Sequence, residues 1–186
     1  MKPGIEPKKL IHSNQMQVII QRLAYQLFEN YEHCSECAII GLQPRGTILA
    51  RRIHSFLGSI SDNFKIPYGD LDTTFYRDDF RRKNEPILPY TNNIDFLIEN
   101  KRVILIDDVL FTGRSVRAAM DALTAYGRPA KVELMVLIDR RFSRELPIEP
   151  DYTGLEVDTR AYDKVKVEWT EKHGEDCVWL LRQEEK

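Results

Sequence analysis

An apolar strand that runs into two carboxylates, then a loop of small residues, then a helix leaves a chain few folds to choose from. Residues Lys101 to Met120, KRVILIDDVLFTGRSVRAAM, spell that order. Val103 to Ile106 is a continuous apolar run rich in β-branched side chains, which suits a strand covered on both faces in a parallel sheet. Asp107 and Asp108 stand where that strand is expected to end. Val109, Leu110 and Phe111 lead into Thr112-Gly113-Arg114-Ser115. A helical spacing follows through Val116, Ala119, Met120 and Leu123.

The order has a chemical logic. A Thr-Gly-Arg-Ser loop feeding a helix N-terminus offers unsatisfied backbone N–H groups and the positive end of the helix dipole, so it suits a phosphate. Gly113 lets the backbone come close to the anion, and the hydroxyls of Thr112 and Ser115 add donors. Asp107 and Asp108 would repel that phosphate, so they require a different partner beside it. Adjacent ribose hydroxyls donate to carboxylates, and a magnesium ion with its waters would also serve. Phosphate at one end and diol at the other describe a ribose 5-phosphate.

The flanking segments extend the pattern. His12 to Tyr31 reads as a helix capped by Ser13 or Asn14, and Cys37 to Leu42 as a second buried strand. The loop Gln43-Pro44-Arg45-Gly46-Thr47 and a helix over Ile48–Leu57 come next, giving a second strand–loop–helix unit and a second candidate anion site. Arg45 would supply charge there and Gly46 a close backbone. Lys65 to Tyr76 has strand composition, ending in Thr73-Thr74-Phe75-Tyr76. The charged run from Arg77 to Pro86 reads as a mobile surface loop, with Arg77 placed to reach an anion. Gly127-Arg128-Pro129 closes the helix after Ser115. Further strands are expected over Lys131–Ile138, Asp151–Val157, Val165–Trp169 and Val178–Leu181. Helices between apolar strands imply an α/β fold with a mostly parallel sheet, and 186 residues suit a single domain over 1–186.

A net charge of −2, with both signs interspersed, gives no global basic field for nucleic acid. No apolar run approaches the roughly 20 residues of a membrane span, and MKPGIEPKK lacks the apolar core of a signal peptide, so a cytoplasmic location is expected. Cys34 and Cys37 form one CxxC. With no second pair or close His set it reads as structural or incidental thiols, a redox or metal role being the alternative.

The run IDDVLFTGRS resembles the signature of type I phosphoribosyltransferases. YRDDF at Tyr76–Phe80, GRP at Gly127–Pro129 and DRRFSRELPIEPDYTG at Asp139–Gly154 resemble the bifunctional family of pyrimidine-operon regulators and uracil phosphoribosyltransferases. The resemblance covers nearly the whole chain. It implies the type I fold, a twisted mostly parallel sheet flanked by helices, with a mobile lid over Arg77–Pro86 and a small hood. It implies that uracil and phosphoribosyl pyrophosphate give UMP and pyrophosphate, and that the protein is a homodimer or higher homo-oligomer. Asp107 and Asp108 would hold the ribose and favour positive charge on it. Together with Val109, Leu110, Phe111, Thr112, Gly113, Arg114 and Ser115 they would bind phosphate and ribose. Pro44, Arg45, Gly46 and Arg77 would meet pyrophosphate, and Asp139 and Arg140 the base. Magnesium (Mg2+) would be chelated by the substrate and water rather than directly by the protein.

Two other readings fit the same residues. One is a UMP-sensing RNA-binding regulator with little catalysis, which needs a basic patch drawn from Lys8, Lys9, Arg51 and Arg52. Glu149, Leu155 and Glu156 stand where RNA-binding relatives carry basic side chains, which weighs against tight RNA binding. The other is a phosphoribosyltransferase for a different base.

Overall fold

The computed structural model describes residues 7–31, 36–61, 65–77 and 90–182. Among these, in chain order, lie β1 Lys8–Ile11, α1 Ser13–Tyr31, β2 Cys37–Leu42, α2 Gly46–Ile60, β3 Tyr68–Leu71, β4 Arg102–Leu110, α3 Arg114–Leu123, β5 Lys131–Arg141, β6 Tyr152–Asp158, β7 Lys164–Glu168, α4 Thr170–His173 and β8 Cys177–Leu181. One-turn 3-10 segments occupy Thr74–Tyr76 and Thr124–Tyr126.

The continuous apolar runs take the middle of a five-stranded sheet ordered β3-β2-β4-β5-β6, with every pairing parallel. Every residue of β2 is buried, as is every residue from Glu133 to Arg140 of β5, because helices cover both faces. α1 and α2 close one face around Leu23, Leu27, Leu49 and Ile53. α3 closes the other with Val116, Ala119 and Leu123 against Val103, Leu105 and Val136.

A separate antiparallel sheet, β1-β8-β7, forms the expected hood. Its buried side chains Ile11, Val167 and Val178 join the α1–α2 core. Arg52 of α2 fastens the hood: its guanidinium stacks on Trp169 and forms ion pairs with Glu171 and Asp176, each at 2.7 Å.

Several local expectations change. β4 does not stop before the acidic pair; it continues to Leu110 because Val109 and Leu110 pair in register with Ile138 and Asp139 of β5. The strand expected over Lys65–Tyr76 shrinks to Tyr68–Leu71. Beyond it the Asp72 carboxylate accepts from the amide and hydroxyl of Thr74 and turns the chain into the 3-10 segment. Ser13 does not cap α1 with its side chain, which donates instead to the Asp176 carbonyl; Gln15 accepts from the His12 amide. Cys34 lies outside the described residues. Cys37 is disulfide-bonded rather than a thiol, and Cys177 is a buried free cysteine. Residues 78–86 of the expected lid also lie outside the described residues, and among the described ones no helix is long and apolar enough to cross a membrane.

Candidate active site

The strand order fixes where a ligand belongs. From β2 the chain crosses by α2 to β3 on one side; from β4 it crosses by α3 to β5 on the other. The loops after β2 and β4 therefore diverge, opening a crevice at the carboxyl ends of these neighbouring strands. Both loops singled out in the sequence sit there.

The loop after β2 carries a cis Gln43–Pro44 peptide, and the Gln43 side-chain Nε2 donates to the Thr91 carbonyl at 2.7 Å. Gly46 then starts α2 hard against β4. A Cβ on Gly46 would stand 2.8 Å from Asp107 Cα and 3.1 Å from its Oδ1, and closer still to the Ile106 carbonyl oxygen. Only glycine allows this approach, so one residue couples the Arg45 loop to the acidic pair.

The two carboxylates are held under electrostatic stress. Asp107 is half-buried and accepts from the Asp108 amide at 2.8 Å; Asp108 is buried, and its Oδ2 has no partner. Burial and the neighbouring Asp108 charge push Asp107 well above the ordinary carboxylate range, opposed by Arg45. Burial likewise raises Asp108 against the pull of Arg45. A buried acceptor without a donor, beside a carboxylate that resists ionising, suits hydroxyl donors or the waters of a cation. Among the described residues there is no cluster of three or more His, Cys, Asp or Glu that could enclose a metal.

A cleft of about 300 Å3 adjoins the pair, lined by Asp107, Phe111 to Val116, Arg77 and Glu145 among others. Gly113, with φ of +89°, ends the loop and begins α3, where the Arg114 amide donates to Thr112 Oγ1 at 3.4 Å and the helix start lines the cleft. Arg114 is turned aside into an ion pair with Glu145 at 2.5 Å. Arg77 donates from Nη1 to Ser115 Oγ at 3.0 Å, beside the Thr112–Ser115 loop.

Asp139 and Arg140, the expected base readers, are both engaged. The Asp139 carboxylate is ion-paired with Arg144. Arg140 is buried, bonds Thr159 Oγ1 at 3.2 Å and the Asp163 carbonyl at 2.8 Å, and stacks 3.8 Å beneath the Phe111 ring. What this corner offers a ligand is the Phe111 ring itself, 39% exposed.

Arg144 is a site residue that chemical reading alone missed. It bonds Asp139, the Phe111 carbonyl at 2.5 Å and the Ile148 carbonyl at 3.0 Å, while the amides of Glu145 and Leu146 donate to the Thr112 carbonyl. The Arg-Glu-Leu-Pro segment therefore clamps the phosphate loop from behind. Its only signal in the sequence was its place in the family pattern.

A larger cavity of about 870 Å3 lies apart from the acidic pair, between α1, α2 and α4. Of the four cations named for an RNA patch, Arg51 and Arg52 line it, and three are paired: Arg51 with Asp70, Arg52 with Glu171 and Asp176, Lys9 with Glu175.

Comparison with known proteins agrees with this geometry. The family described as Phosphoribosyl transferase domain matches residues 8–172. "Bifunctional protein PyrR" of Desulfosudis oleivorans is 45% identical over 163 residues, covering 88% of this chain and 90% of that one. "Pyrimidine operon regulatory protein" of Lactococcus lactis is 38% identical over 177 residues, covering 95% and 98%. Among solved structures, the hypoxanthine phosphoribosyltransferase of Trypanosoma cruzi superimposes with a TM-score of 0.69 at 15% identity over 95% of this chain and 97% of that one, a likeness of fold alone.

Proposed function

The chain belongs to the phosphoribosyl transferase family, in the branch of the bifunctional PyrR proteins, and on that premise we propose that it joins uracil to phosphoribosyl pyrophosphate, giving UMP and pyrophosphate. The observation that carries the reading is the crevice itself. An acidic pair with an unsatisfied buried acceptor lies between a helix-start phosphate loop and an Arg-Gly loop.

In this proposal the Thr112–Ser115 loop and the α3 N-terminus bind the 5-phosphate, fixing the ribose so that remote binding energy positions the reacting carbon. Asp107 and Asp108 accept the ribose hydroxyls. As the C1–oxygen bond to pyrophosphate breaks and uracil N1 bonds to C1, its N1 proton passing to solvent or the departing pyrophosphate, positive charge builds on the ribose, and these carboxylates stabilise it. Arg45 and the Gly46 backbone hold the departing pyrophosphate. Asp107 and Asp108 would help hold a substrate-borne magnesium ion, which would supply charge neutralisation for that leaving group. The open face of Phe111 stacks the base, and Arg140 acts on the base indirectly by bracing that ring.

The relatives' names support a second role in pyrimidine-operon regulation, and the proposal adds UMP as its signal and RNA as its partner. A cytoplasmic location and a homodimer or higher homo-oligomer belong to the proposal, the latter to be measured by light scattering. The test of catalysis is chromatographic detection of UMP from uracil, phosphoribosyl pyrophosphate and magnesium. UMP that requires all three supports the reading. No UMP from folded protein that binds UMP and RNA refutes catalysis and favours the regulator.

A further inference from the structure

We infer that Gln43 is a positioning residue for the pyrophosphate loop, pinned through its side chain to a segment that Asp72 anchors, and that it acts on pyrophosphate through Arg45. The inference rests on the proposed function and adds to it a residue outside the Arg-Gly pair.

Only Pro44 and Arg45 lie between Gln43 and Gly46, so the direction of Arg45 depends on how both ends of this short bridge are held. One end is fixed by Gly46, whose backbone lies hard against Ile106 and Asp107. At the other, the Gln43 amide donates to the Leu71 carbonyl at 2.9 Å, continuing the pairing of β2 with β3. The Gln43 side chain then reaches across to a different stretch, its Nε2 donating to the Thr91 carbonyl at 2.7 Å. The contacts of the next carbonyl are looser: Pro44 accepts from Lys172 Nζ at 3.4 Å and from Thr47 Oγ1 at 3.5 Å. Hydrogen bonds weaken toward such lengths, so the Gln43–Thr91 bond is the firm one at this end.

The acceptor is presented from a built frame. On one side of Thr91 the Tyr90 amide donates to Asp72 Oδ2 at 2.9 Å; on the other, Asn92 Oδ1 accepts from the Asp72 amide at 2.6 Å. The backbones of Asn93 and Asp70 exchange two further bonds, at 2.9 and 3.1 Å. Asp72 is itself buried, and its other oxygen accepts from the Thr74 amide and hydroxyl. The segment also lies directly on β3, since a Cβ at Gly69 would stand 2.7 Å from Ile94 Cγ1. Thr91 therefore cannot drift without breaking these bonds, and Gln43 transmits that rigidity to the loop. A loop fixed at both ends presents Arg45 to its anion with less to order on binding.

The test titrates magnesium pyrophosphate and, separately, UMP into the full-length protein by calorimetry. Gln43→Met keeps the side-chain length and removes the donor. It is expected to weaken pyrophosphate binding about threefold to tenfold while leaving UMP binding within twofold. In an Arg45→Ala background it is expected to add nothing, because Gln43 acts through Arg45. Asp72→Asn places an amide N–H against donors that now meet a carboxylate, and is expected to weaken pyrophosphate binding alone but little further once Gln43 is Met. Undiminished pyrophosphate binding by Gln43→Met, equal weakening of both ligands, or a full further loss in Arg45→Ala would each overturn the inference while leaving the proposed function standing. Failure of the unaltered protein to bind either ligand would overturn the proposed function, and the inference with it.

Discussion

Gly46→Ala is the sharpest perturbation of the link between the two loops. The added Cβ would lie 2.8 Å from Asp107 Cα, where ordinary contact begins at 3.4 Å, and would press still harder on the Ile106 carbonyl. Both neighbours are β4 backbone at the centre of the sheet, so α2 must retreat, by at least about 0.6 Å on the Asp107 distance alone. Overpacking of this kind costs about 1–3 kcal/mol, or roughly 3–10 °C in melting temperature for a protein of this size. A displacement approaching 1 Å between Arg45 and the acidic pair lowers turnover by roughly tenfold to a hundredfold. Gly58→Ala in the same helix is the control: its Cβ meets nothing within 4 Å, and helix propensity favours alanine by about 1 kcal/mol. Paired thermal melts and pyrophosphate-release rates read both effects. Normal turnover and melting for Gly46→Ala, or an equal loss for Gly58→Ala, would refute the close-approach reasoning.

Asp107 and Asp108 bind protons more tightly in the native state than in the unfolded chain, because burial raises both above 3.8. Stability therefore falls as pH rises from about 4 through the raised values, the reverse of a salt-bridged carboxylate. Asp107→Asn should raise the melting temperature at pH 8, with the gain vanishing near pH 3.8, and should lower turnover by at least about a hundredfold; a lower melt at pH 8 would contradict the burial argument. Arg144→Ala breaks a partly buried pair and four carbonyl contacts, and is expected to cost about 3 kcal/mol and to raise the KM for phosphoribosyl pyrophosphate, read by denaturant melts and steady-state kinetics. Phe111→Ala removes a stacking face worth about 1–3 kcal/mol per base, so UMP binding should weaken about tenfold while pyrophosphate inhibition is unchanged, both measured by titration.

Most of the fold was legible because apolar runs and loop chemistry are local signals. The parallel sheet, both strand–loop–helix units and the hood strands after Val165 follow from composition and spacing. What escaped depends on partners distant in sequence. The extension of β4 through Asp107 and Asp108 comes from register with β5, which no property of those residues announces. β1 went unseen because KKLI gains its meaning only by pairing with β8. At the site, the acidic pair, the Thr112–Ser115 loop and Arg45-Gly46 were read correctly as neighbours of one crevice. The side-chain engagement of Asp139 and Arg140 by Arg144, Thr159 and Phe111 was not legible in the sequence, because those partners lie far along the chain or outside any local pattern. Arg77 was singled out for its charge, but its place beside Ser115 comes from the Thr74–Tyr76 turn that precedes it.

The measurement that tests the central claim most directly is magnesium-dependent pyrophosphate release from phosphoribosyl pyrophosphate with uracil, adenine, guanine, hypoxanthine or orotate. The account predicts release with uracil alone, abolished in Asp107→Asn with Asp108→Asn while the variant remains folded. Release with another base in place of uracil, or undiminished release by the doubly substituted protein, would contradict it.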